Sequence, residues 1–329
     1  MGLIFPALLA LVCLMAIVPG NIAPSIAVLT LATPFLFVIN LVIAIYWLFV
    51  RYKRTLVFVI ALVFALLVFD SPLRWDGNTE NVGSDDFSLM SYNVWGFNRN
   101  EWIKEPNIGD KITEFIRKID PDVLCLQEHS RKRYKQLTQY SYRTETPYSA
   151  SKSTQAIFSK FPIVGHGSLD LPKTINNIIF ADILIEKDTV RVYNVHLQSY
   201  SIVPNTDMVT HEKETKRTYR RIAETFAMHY EQASILVEHV NSTSHPVVIA
   251  GDFNNTQFSN AYRTIKADMQ DSFLEKGTGL GRTFKLLKLP MRIDYILADS
   301  NFDFTSHVNY DQKYSDHYPI MATLKLRMD

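Results

Sequence analysis

Hydrophobic residues are spread unevenly along the 329-residue chain. The first 70 residues hold three apolar runs, Leu3 to Val18, Ile26 to Val50 and Leu56 to Phe69, with a basic loop, Arg51-Tyr52-Lys53-Arg54, before the third. A helix that crosses a bilayer needs about 20 apolar residues, so the middle run is long enough and the outer two are short. We interpret residues 1–70 as a transmembrane segment of three helices.

The orientation of these helices depends on their number. A secretory signal peptide is the alternative for the first run, but no basic segment precedes that run and a longer apolar run follows it. Positively charged loops usually stay in the cytoplasm, so three spans place the basic loop inside and the rest of the chain on the extracytoplasmic, periplasmic side. Two spans would reverse this orientation. The sequence thus predicts an integral membrane protein with an extracytoplasmic domain.

Beyond residue 70 the pattern changes. The stretch 71–86 is polar and rich in Asp, Asn and Gly, as linkers are, and residues 87–329 have the length of one large domain. Short apolar runs typical of strands alternate there with two helical patterns, Ile108 to Ile119 and His211 to Val240, so we expect a mixed α and β domain. The expected strands are Leu89 to Val94, Val123 to Gln127, Gln155 to Ser159, Ile178 to Ile185, Val190 to Leu197, Val247 to Ala250, Arg292 to Leu297 and Tyr318 to Leu326.

Charge and cysteine content narrow the class of partner. Without the membrane segment the chain has 31 basic and 32 acidic residues, a net charge of −1. Proteins that hold nucleic acid through its phosphates usually carry a basic excess, so a nucleic-acid substrate stays open but is not favoured. Cys13 and Cys125 both lie in apolar runs and indicate no disulfide framework.

Polar side chains recur where the expected strands end. Asp252 and Asn254 follow the apolar run Val247 to Ala250, and alternation along an extended chain would put both on one side. An Asx turn is the ordinary alternative for this pair. The other polar strand ends carry Asn93, Glu128, His196, Asp294 and the triplet Ser315-Asp316-His317.

Each of these residues has an ordinary explanation when it is taken singly. Glu128 could cap a helix, His196 could be a hydrogen-bonded core histidine, and Asp294 could pair with Arg292. Together they need a common explanation, because charged groups inside apolar strands are costly unless they are paired or bind a metal. The pattern therefore favours one polar site built from several strand ends.

Seven motifs in order carry a resemblance to a known family: "SYNVWG", "PDVLCLQE", "AIFSKFPI", "YNVHL", "AGDFNN", "RIDYIL" and "SDHYPI". From about Phe87 to the C-terminus, the chain resembles the endonuclease/exonuclease/phosphatase superfamily, which includes DNase-I-like nucleases, neutral sphingomyelinases, deadenylases and inositol polyphosphate 5-phosphatases. The resemblance implies an α+β fold, the DNase-I-like four-layer α-β-β-α sandwich. It also implies a Mg-dependent phosphoric ester hydrolase, with Mn²⁺ as the second candidate cofactor.

The same resemblance implies a set of metal ligands. Glu128 matches the principal ligand, Asn93 matches the residue that assists it, and Asp316 is expected near the metal. A small number of hard oxygen ligands suits Mg²⁺, which keeps water molecules and recruits the substrate phosphate.

Five further residues match catalytic positions of the family. Asp252 corresponds to the acid that orients or deprotonates the attacking water, and Asn254 to the amide that holds a phosphate oxygen. His317 corresponds to the histidine that contacts the scissile phosphate, and Asp294 to the acid that orients its ring. His196 corresponds to a second phosphate-contacting histidine. General-base assistance contributes about 10²- to 10⁴-fold, and electrostatics and positioning supply the rest.

Departures from family patterns leave the subfamily open. Gln155 stands where many members have glycine, and "QEHS" lacks the arginine or tryptophan that follows this glutamate in some subgroups. "RIDYIL" lacks the tryptophan-aspartate-arginine pattern of the inositol 5-phosphatases. We expect the pocket walls in loops such as Ser199 to Asp207 and Glu275 to Arg282, with the basic residues of Arg131 to Lys135 on the rim.

Three functions remain open. The leading one is a membrane-anchored phosphodiesterase or phosphatase that acts on a lipid headgroup or another phosphate ester near the bilayer. A membrane-tethered nuclease is the enzymatic alternative, which the local basic runs permit and the net charge disfavours. A catalytically inactive binding or scaffold module belongs to a different class, and the filled site positions argue against it.

Overall fold

The computed structural model describes residues 3–75, 77, 83, 86–148, 151–200, 212–286 and 289–327. The chain forms two compact units. The helical unit comprises Met1–Pro72, Tyr200–Ser234 and Asn255–Ile265, and the sheet unit comprises Leu73–Ser199, Ile235–Asn254 and Lys266–Asp329. Half of the predicted linker at 71–86, and residues 201–207 of one predicted pocket loop, lie outside the described residues.

The three apolar runs of the N-terminal region are helical. By length and composition, the 27-residue stretch Pro24–Val50 is able to cross a membrane, whereas the first helix is shorter. The third run begins its helix earlier than expected, because the basic Lys53 and Arg54 join its first turn. The helices are α1 (Ile4–Ile17), α2 (Pro24–Ala27), α3 (Thr33–Val50) and α4 (Tyr52–Val68), with a 3-10 turn at Val28–Ala32 between α2 and α3.

Helices α1, α3 and α4 share one apolar core. Asn40 of α3 lies in this core, and its Nδ2 donates to the carbonyl oxygens of Phe5 at 3.2 Å and Leu36 at 2.7 Å. The outward faces carry large exposed apolar side chains, among them Phe49 at 83% and Leu67 at 80% exposed. An exposed apolar surface of this extent is typical of a membrane or protein interaction site.

Side chains of Asn255–Ile265 cap the ends of α1 and α4. Asn260 Nδ2 donates to the Val18 carbonyl oxygen at 3.0 Å, and Arg263 Nη1 donates to that of Val68 at 2.5 Å. Phe258 packs edge-to-face on Phe69, with ring centroids 5.2 Å apart. The last carbonyls of a helix lack intrahelical partners, so these side chains satisfy groups that would otherwise be open. The same unit contains the first part of α6 (Glu212–Asn241) and most of α7 (Asn260–Lys266).

The sheet unit contains two six-stranded sheets. The first has the order β13-β14-β1-β2-β4-β3, the second has the order β5-β6-β7-β8-β12-β9, and β10 and β11 form a separate hairpin. The strands are β1 (Phe87–Asn93), β2 (Val123–Gln127), β3 (Tyr142–Glu145), β4 (Ala156–Ser159), β5 (Ile163–Ser168), β6 (Ile178–Ile185), β7 (Asp188–His196), β8 (Val247–Asp252), β9 (Gln270–Asp271), β10 (Phe284–Leu286), β11 (Leu289–Met291), β12 (Asp294–Ala298), β13 (Phe302–Asn309) and β14 (Ile320–Leu326). The helices of this unit are α5 (Ile108–Ile119), the end of α6 and α8 (Ser272–Lys276), with 3-10 turns at Trp95–Asn98 and Arg131–Gln136.

Alternation along the strands builds the layers of this unit. On β1, Leu89 faces the apolar core that the two sheets share, whereas Tyr92 belongs to the core between the first sheet and α5. On the second sheet, Tyr193 Oη lies 2.7 Å from Nδ1 of His239 near the end of α6. Helix, sheet, sheet and helix therefore follow one another, which confirms the predicted α-β-β-α sandwich.

The observed strand bounds differ from the expected ones where the site is built. The strand expected at Val247 to Ala250 extends to Asp252, so this acid belongs to the strand itself. The strand expected from Arg292 begins at Asp294 instead. Six of these strands were not expected, because their apolar signal is short or interrupted, and β5 also carries two glycines: β3, β5, β9, β10, β11 and β13.

Candidate active site at the strand ends

Three strands of the second sheet bring His196, Asp252 and Asp294 side by side. Asp252 at the end of β8 lies opposite His196 on β7 and opposite Asp294 on β12. The close approach of β7 requires glycine at the preceding position: Gly251 has φ of +143°, and a Cβ there would lie 2.0 Å from the Val195 carbonyl oxygen. Gly251 thus allows β7 and β8 to approach closely just before Asp252.

Asp252 is surrounded by polar groups from both sheets and is 1% exposed. Asn93 Nδ2, at the end of β1, donates to Asp252 Oδ2 at 3.1 Å. The Nε2 atoms of His196 and His317 lie 3.7 and 3.6 Å from the same oxygen. Residues that are far apart in the sequence therefore meet at one carboxylate.

Asp252 and Asn254 also form the Asx turn that was the ordinary alternative for this pair. The backbone N–H of Asn254 donates to Asp252 Oδ1 at 2.7 Å. Asn254 has φ of +49°, so the strand alternation expected from the sequence does not continue to it. Its Nδ2 donates to the Leu197 carbonyl oxygen at 2.9 Å, which fixes the amide beside the end of β7.

His317 and Asp294 form a buried pair. His317 Nδ1 lies 3.0 and 3.2 Å from the two carboxylate oxygens of Asp294. The backbone N–H of Asp294 donates to Thr283 Oγ1 at 3.1 Å, which holds the acid in place. Arg292, the alternative partner for this acid, forms its ion pair with Asp271 at 2.6 Å. The structure therefore places Asp294 where it can orient the histidine ring.

Glu128 and Asp316 lie at the ends of the first sheet. Glu128 directly follows β2 with φ of +51°, its side chain is 34% exposed, and its Oε1 lies 3.9 Å from His196 Nε2. Ser315 Oγ donates to the Asn93 carbonyl oxygen at 2.8 Å and lies 3.1 Å from Asp316 Oδ1. This serine ties the segment before β14 to the end of β1.

Burial and mutual proximity shift the pKa values of these groups. Burial raises the pKa of Asp252 and that of Asp316, because water no longer solvates the charged forms. Burial alone would lower the pKa of His317, but Asp294 and Asp252 outweigh it and hold that pKa well above its ordinary value. Burial lowers the pKa of His196 to about 4. These shifts favour the protonated form of His317 and the neutral form of His196.

The charges at the strand ends fit a divalent cation. Four carboxyl groups, of Glu128, Asp252, Asp294 and Asp316, lie near His196 and His317, so carboxyl groups outnumber the basic side chains there. Ligand atoms of Asp252, Asp294 and His317 also lie within 4.8 Å of one another, but a protonated His317 has no free nitrogen lone pair to offer a cation. The donors are mainly hard carboxylate and amide oxygens, which suit Mg²⁺ and Mn²⁺ better than softer metals.

A cavity of about 400 Å³ adjoins Glu128. Trp95 and Trp102 form part of its wall, with stacked rings whose centroids are 4.0 Å apart. Two of the four basic residues expected on the rim are paired with acids: Arg131 Nε lies 3.2 Å from Glu145, and Arg133 Nη1 lies 2.6 Å from Asp110. These ion pairs offset part of the positive charge that we expected to attract the substrate.

A cluster of buried amide side chains lies beneath the site, and the sequence did not predict it. Asn194 Oδ1 accepts from Gln127 Nε2 at 2.8 Å, and the Asn194 backbone oxygen accepts from Gln155 Nε2 at 2.9 Å. All three side chains are fully buried. Gln127 precedes Glu128 and Asn194 lies two residues before His196, so the cluster links the strand ends of the two sheets. Gln155, which stands where many family members have glycine, is part of this link.

Two family models match the chain. The model described as Endonuclease/Exonuclease/phosphatase family matches residues 90–317, and the model described as Domain of unknown function (DUF8431) matches residues 1–71. The first match spans all eight candidate site residues. The comparison with curated proteins found no match.

Solved structures share the fold at low sequence identity. A humanized D. rerio TDP2 carrying 14 mutations is 16% identical with a TM-score of 0.55, over 74% of this chain and 100% of that one. An endonuclease/exonuclease/phosphatase family protein of Bacteroides thetaiotaomicron is 18% identical with a TM-score of 0.54, over 73% and 97% of the two chains. The mannosyl-6-phosphatase Bt3783 of Bacteroides thetaiotaomicron VPI-5482 is 17% identical with a TM-score of 0.52, over 72% and 99%. At these identities the similarity shows the fold alone.

Proposed function

We propose, on the premise that the chain belongs to the endonuclease/exonuclease/phosphatase family, that it is a membrane-anchored, divalent-metal-dependent hydrolase of phosphate esters. One observation carries this proposal: Asp252 is buried between His196 and His317, and His317 is held by Asp294 at 3.0 Å. A base beside two histidines, one of which is protonated, is an arrangement suited to phosphoryl transfer to water. The family itself comprises phosphoesterases and nucleases, in agreement with this chemistry.

In the proposed mechanism Asp252 accepts the proton of the attacking water. Its raised pKa brings this carboxylate closer to the working pH, where a general base is most effective. His317 remains protonated and donates from Nε2 to the phosphate or to the leaving oxygen, while Asp294 holds the opposite ring nitrogen. Neutral His196 and the amide of Asn254 supply further N–H donors for the phosphoryl oxygens.

Glu128, Asn93 and Asp316 would hold the cation. Asn93 Nδ2 bonds to Asp252 and its Oδ1 accepts the Trp95 N–H at 3.1 Å, which leaves a second lone pair on that oxygen for a metal. The bound cation would polarise the phosphoryl oxygens and neutralise charge that develops on them. The surplus of carboxylates in the site supports this assignment, and Mg²⁺ is the first candidate with Mn²⁺ second.

The membrane anchor leads to a proposal for the location of the substrate. Residues 1–70 would insert with the Arg51 to Arg54 loop in the cytoplasm, and the rest of the chain would lie on the extracytoplasmic, periplasmic side. The contacts of Asn260 with Val18 and of Arg263 with Val68 agree with three spans, because they put the ends of α1 and α4 on one side, and the choice of side rests on the basic loop. A lipid headgroup or another phosphate ester near the bilayer would then be within reach.

Two alternatives make different predictions. A membrane-tethered nuclease would need a basic track, and the net charge of −1 and the paired Arg131 and Arg133 disfavour one. An inactive scaffold would not need a complete set of polar site residues, and all eight expected positions are filled.

A substrate screen tests the proposal. The full-length protein in lipid nanodiscs would be incubated with phosphomonoesters, phosphodiesters, phospholipid vesicles, RNA and single- and double-stranded DNA, each with Mg²⁺, Mn²⁺ or EDTA. We expect metal-dependent release of product from a small or lipid phosphate ester, and loss of this activity in Asp252→Asn. Turnover of nucleic acids alone would favour the nuclease, and failure of every substrate with both metals would favour the scaffold.

The orientation has its own test. A reporter that is active only in the cytoplasm would be fused to the C-terminus, and a second copy would be fused after Arg54 as the cytoplasmic control. The proposal expects signal from the second fusion alone. Signal from the C-terminal fusion in membrane-inserted protein would overturn the three-span orientation.

A further inference from the structure

The cavity beside Glu128 adjoins the strand-end site. Its walls come mainly from two segments, Trp95–Trp102 after β1 and 151–154 before β4, together with His129 and Ile175. Glu128 forms one of its boundaries, and this residue is the first candidate for the metal. A phosphate bound at Glu128 would therefore leave its organic substituent within about 400 Å³ of partly enclosed space.

The aromatic wall of this cavity is built in advance of any ligand. Trp102 is 51% exposed although it stacks on Trp95. The turn that carries both rings is held by Asn98, which donates to the Ile103 oxygen at 2.8 Å and accepts the Ile103 N–H at 3.0 Å. Four non-glycine residues of this turn have positive φ, each at a cost of order 1 kcal/mol. They are Trp95 (46°), Phe97 (57°), Asn98 (57°) and Glu101 (56°). Strain kept in a fixed turn indicates a function for the turn rather than a loose connection.

His129 provides the second observation. It lines the cavity next to Glu128, is 6% exposed, and is flanked edge-to-face by Phe97 and Phe158. Neither ring nitrogen has a hydrogen-bond partner among the residues that the structure describes. A buried polar side chain without a partner is costly, and a ligand hydroxyl is the kind of group that would satisfy it.

The remaining wall selects the chemistry of the ligand. Arg99, Asn100, Ser151 and Ser153 present hydroxyl, amide and guanidinium groups, which disfavour an acyl chain. The Lys152 ammonium is already bonded to the carbonyl oxygens at Leu171 and Thr174, so it adds little free positive charge for a polyanion. A group with a flat apolar face and several hydroxyls on its edge fits such a wall.

We infer that this cavity is the recognition subsite for a phosphate ester of a cyclic polyol or sugar. For the phosphate end of that ester, this inference rests on the proposed function. The ring lies against the Trp95–Trp102 pair, its hydroxyls contact the polar side chains and His129, and its phosphate reaches Glu128. The same ring could belong to a soluble sugar phosphate or to the headgroup of a membrane lipid, and the two sources share this chemistry.

The test compares ring-bearing and ring-free esters on the full chain in nanodiscs. The soluble esters are inositol 1-phosphate, glucose 6-phosphate, AMP and glycerol 3-phosphate, and the lipid arms are vesicles of phosphatidylinositol or phosphatidylglycerol. In Trp102→Ala we expect KM for the inositol or glucose ester to rise about tenfold, with kcat unchanged. A tenfold rise corresponds to a loss of about 1.4 kcal/mol of binding free energy. KM for glycerol 3-phosphate should stay the same, and Trp102→Phe should recover most of the loss.

Controls separate the subsite from the reaction. Trp75→Ala removes a tryptophan that is 82% exposed and lies outside the cavity, and it should change neither KM. Quenching of tryptophan fluorescence by inositol 1-phosphate in Asp252→Asn reports binding without turnover. Quenching that depends on Trp102 would keep the subsite even if no ester were hydrolysed. Equal losses for ring-bearing and ring-free esters, or a preference for AMP over both polyol esters, would overturn the assignment.

Discussion

The two halves of the strand-end site differ in how far the protein satisfies its own polar groups. Around Asp252 the side chains bind one another: Asn93 donates to it at 3.1 Å, and His317 is paired with Asp294 at 3.0 Å. Around Glu128 the protein supplies fewer close polar contacts, since a third of this side chain is exposed and His196 Nε2 lies 3.9 Å from its Oε1.

This difference separates two tasks. The half around Asp252 is rigid before the substrate arrives, which suits proton transfer because the reacting groups need no reorganisation. The half around Glu128 offers oxygens and an adjoining cavity, which suits the binding of a cation and a substrate. Variants that affect one half and leave the other unchanged can test whether the division holds.

The largest effect is expected from Asp252→Asn. Loss of the base should lower kcat by about 10²- to 10⁴-fold, whereas the requirement for Mg²⁺ should stay the same. The unfolding temperature should not fall, because burial already disfavours the charge that this variant removes. Asp303→Asn, at a half-exposed acid paired with Arg327, is the matched control and should retain full activity. Near-normal turnover in Asp252→Asn would contradict the assigned role.

Glu128→Gln should damage the other half. At a fixed Mg²⁺ concentration we expect activity to fall by about 100-fold, and the Mg²⁺ concentration for half-maximal activity to rise. Titration of activity with Mg²⁺ and Mn²⁺ measures both quantities. Should the metal requirement of Glu128→Gln equal that of the natural protein, Glu128 would not be the principal ligand.

Asp294→Asn is expected to have a smaller effect than either of these. Asp294 acts through the ring that it orients, so a loss of about 10- to 100-fold in kcat is expected, with an unchanged Mg²⁺ requirement. Removal of this carboxylate should also lower the pKa of His317, and the alkaline limb of the pH profile should move to lower pH. A silent substitution would separate Asp294 from catalysis.

The pH profile of the natural protein gives the finest test. Asp252 must be ionised to accept a proton, so activity should be lost as pH falls through its raised pKa. His317 must be protonated, so activity should be lost as pH rises through a pKa well above 6.5. His196, with its pKa lowered to about 4, should add no limb near neutrality. These two groups are close enough to titrate together, so the limbs belong to the pair, and a profile flat on the alkaline side would contradict the role of His317.

The local pattern of hydrophobic and polar residues predicted much of the sheet unit. The bounds of α5, β2 and β6 agree with the apolar runs, because these elements bury one face or both and leave a clear period. The motif order predicted which strand ends carry polar residues. The bonding of His317 to Asp294, and of Asn93 to Asp252, then depends on sheet pairing between distant segments.

Long-range contacts explain what the sequence did not predict. The amide of Asn194 meets Gln127 and Gln155 only because two sheets pack face to face, and no local signal marks such a meeting. The turn at Asn254 depends on a positive φ, and a single asparagine in a sequence does not predict a positive φ. The helical unit takes in Asn255–Ile265, which the division of the chain by hydrophobicity assigned to the catalytic domain.

The caps on α1 and α4 impose an order on biosynthesis. Val68 and Arg263 are 195 residues apart, and Val18 and Asn260 are 242 apart. At about 5–20 residues per second, the ribosome delivers these caps roughly 10 to 40 s after α4. During this interval the helix ends rely on water or headgroups, so the bundle should close only late in translation. Chains stalled near residue 240 should therefore be cut by protease near Val18 and Val68 more readily than chains stalled near residue 310, and equal cleavage would exclude this order.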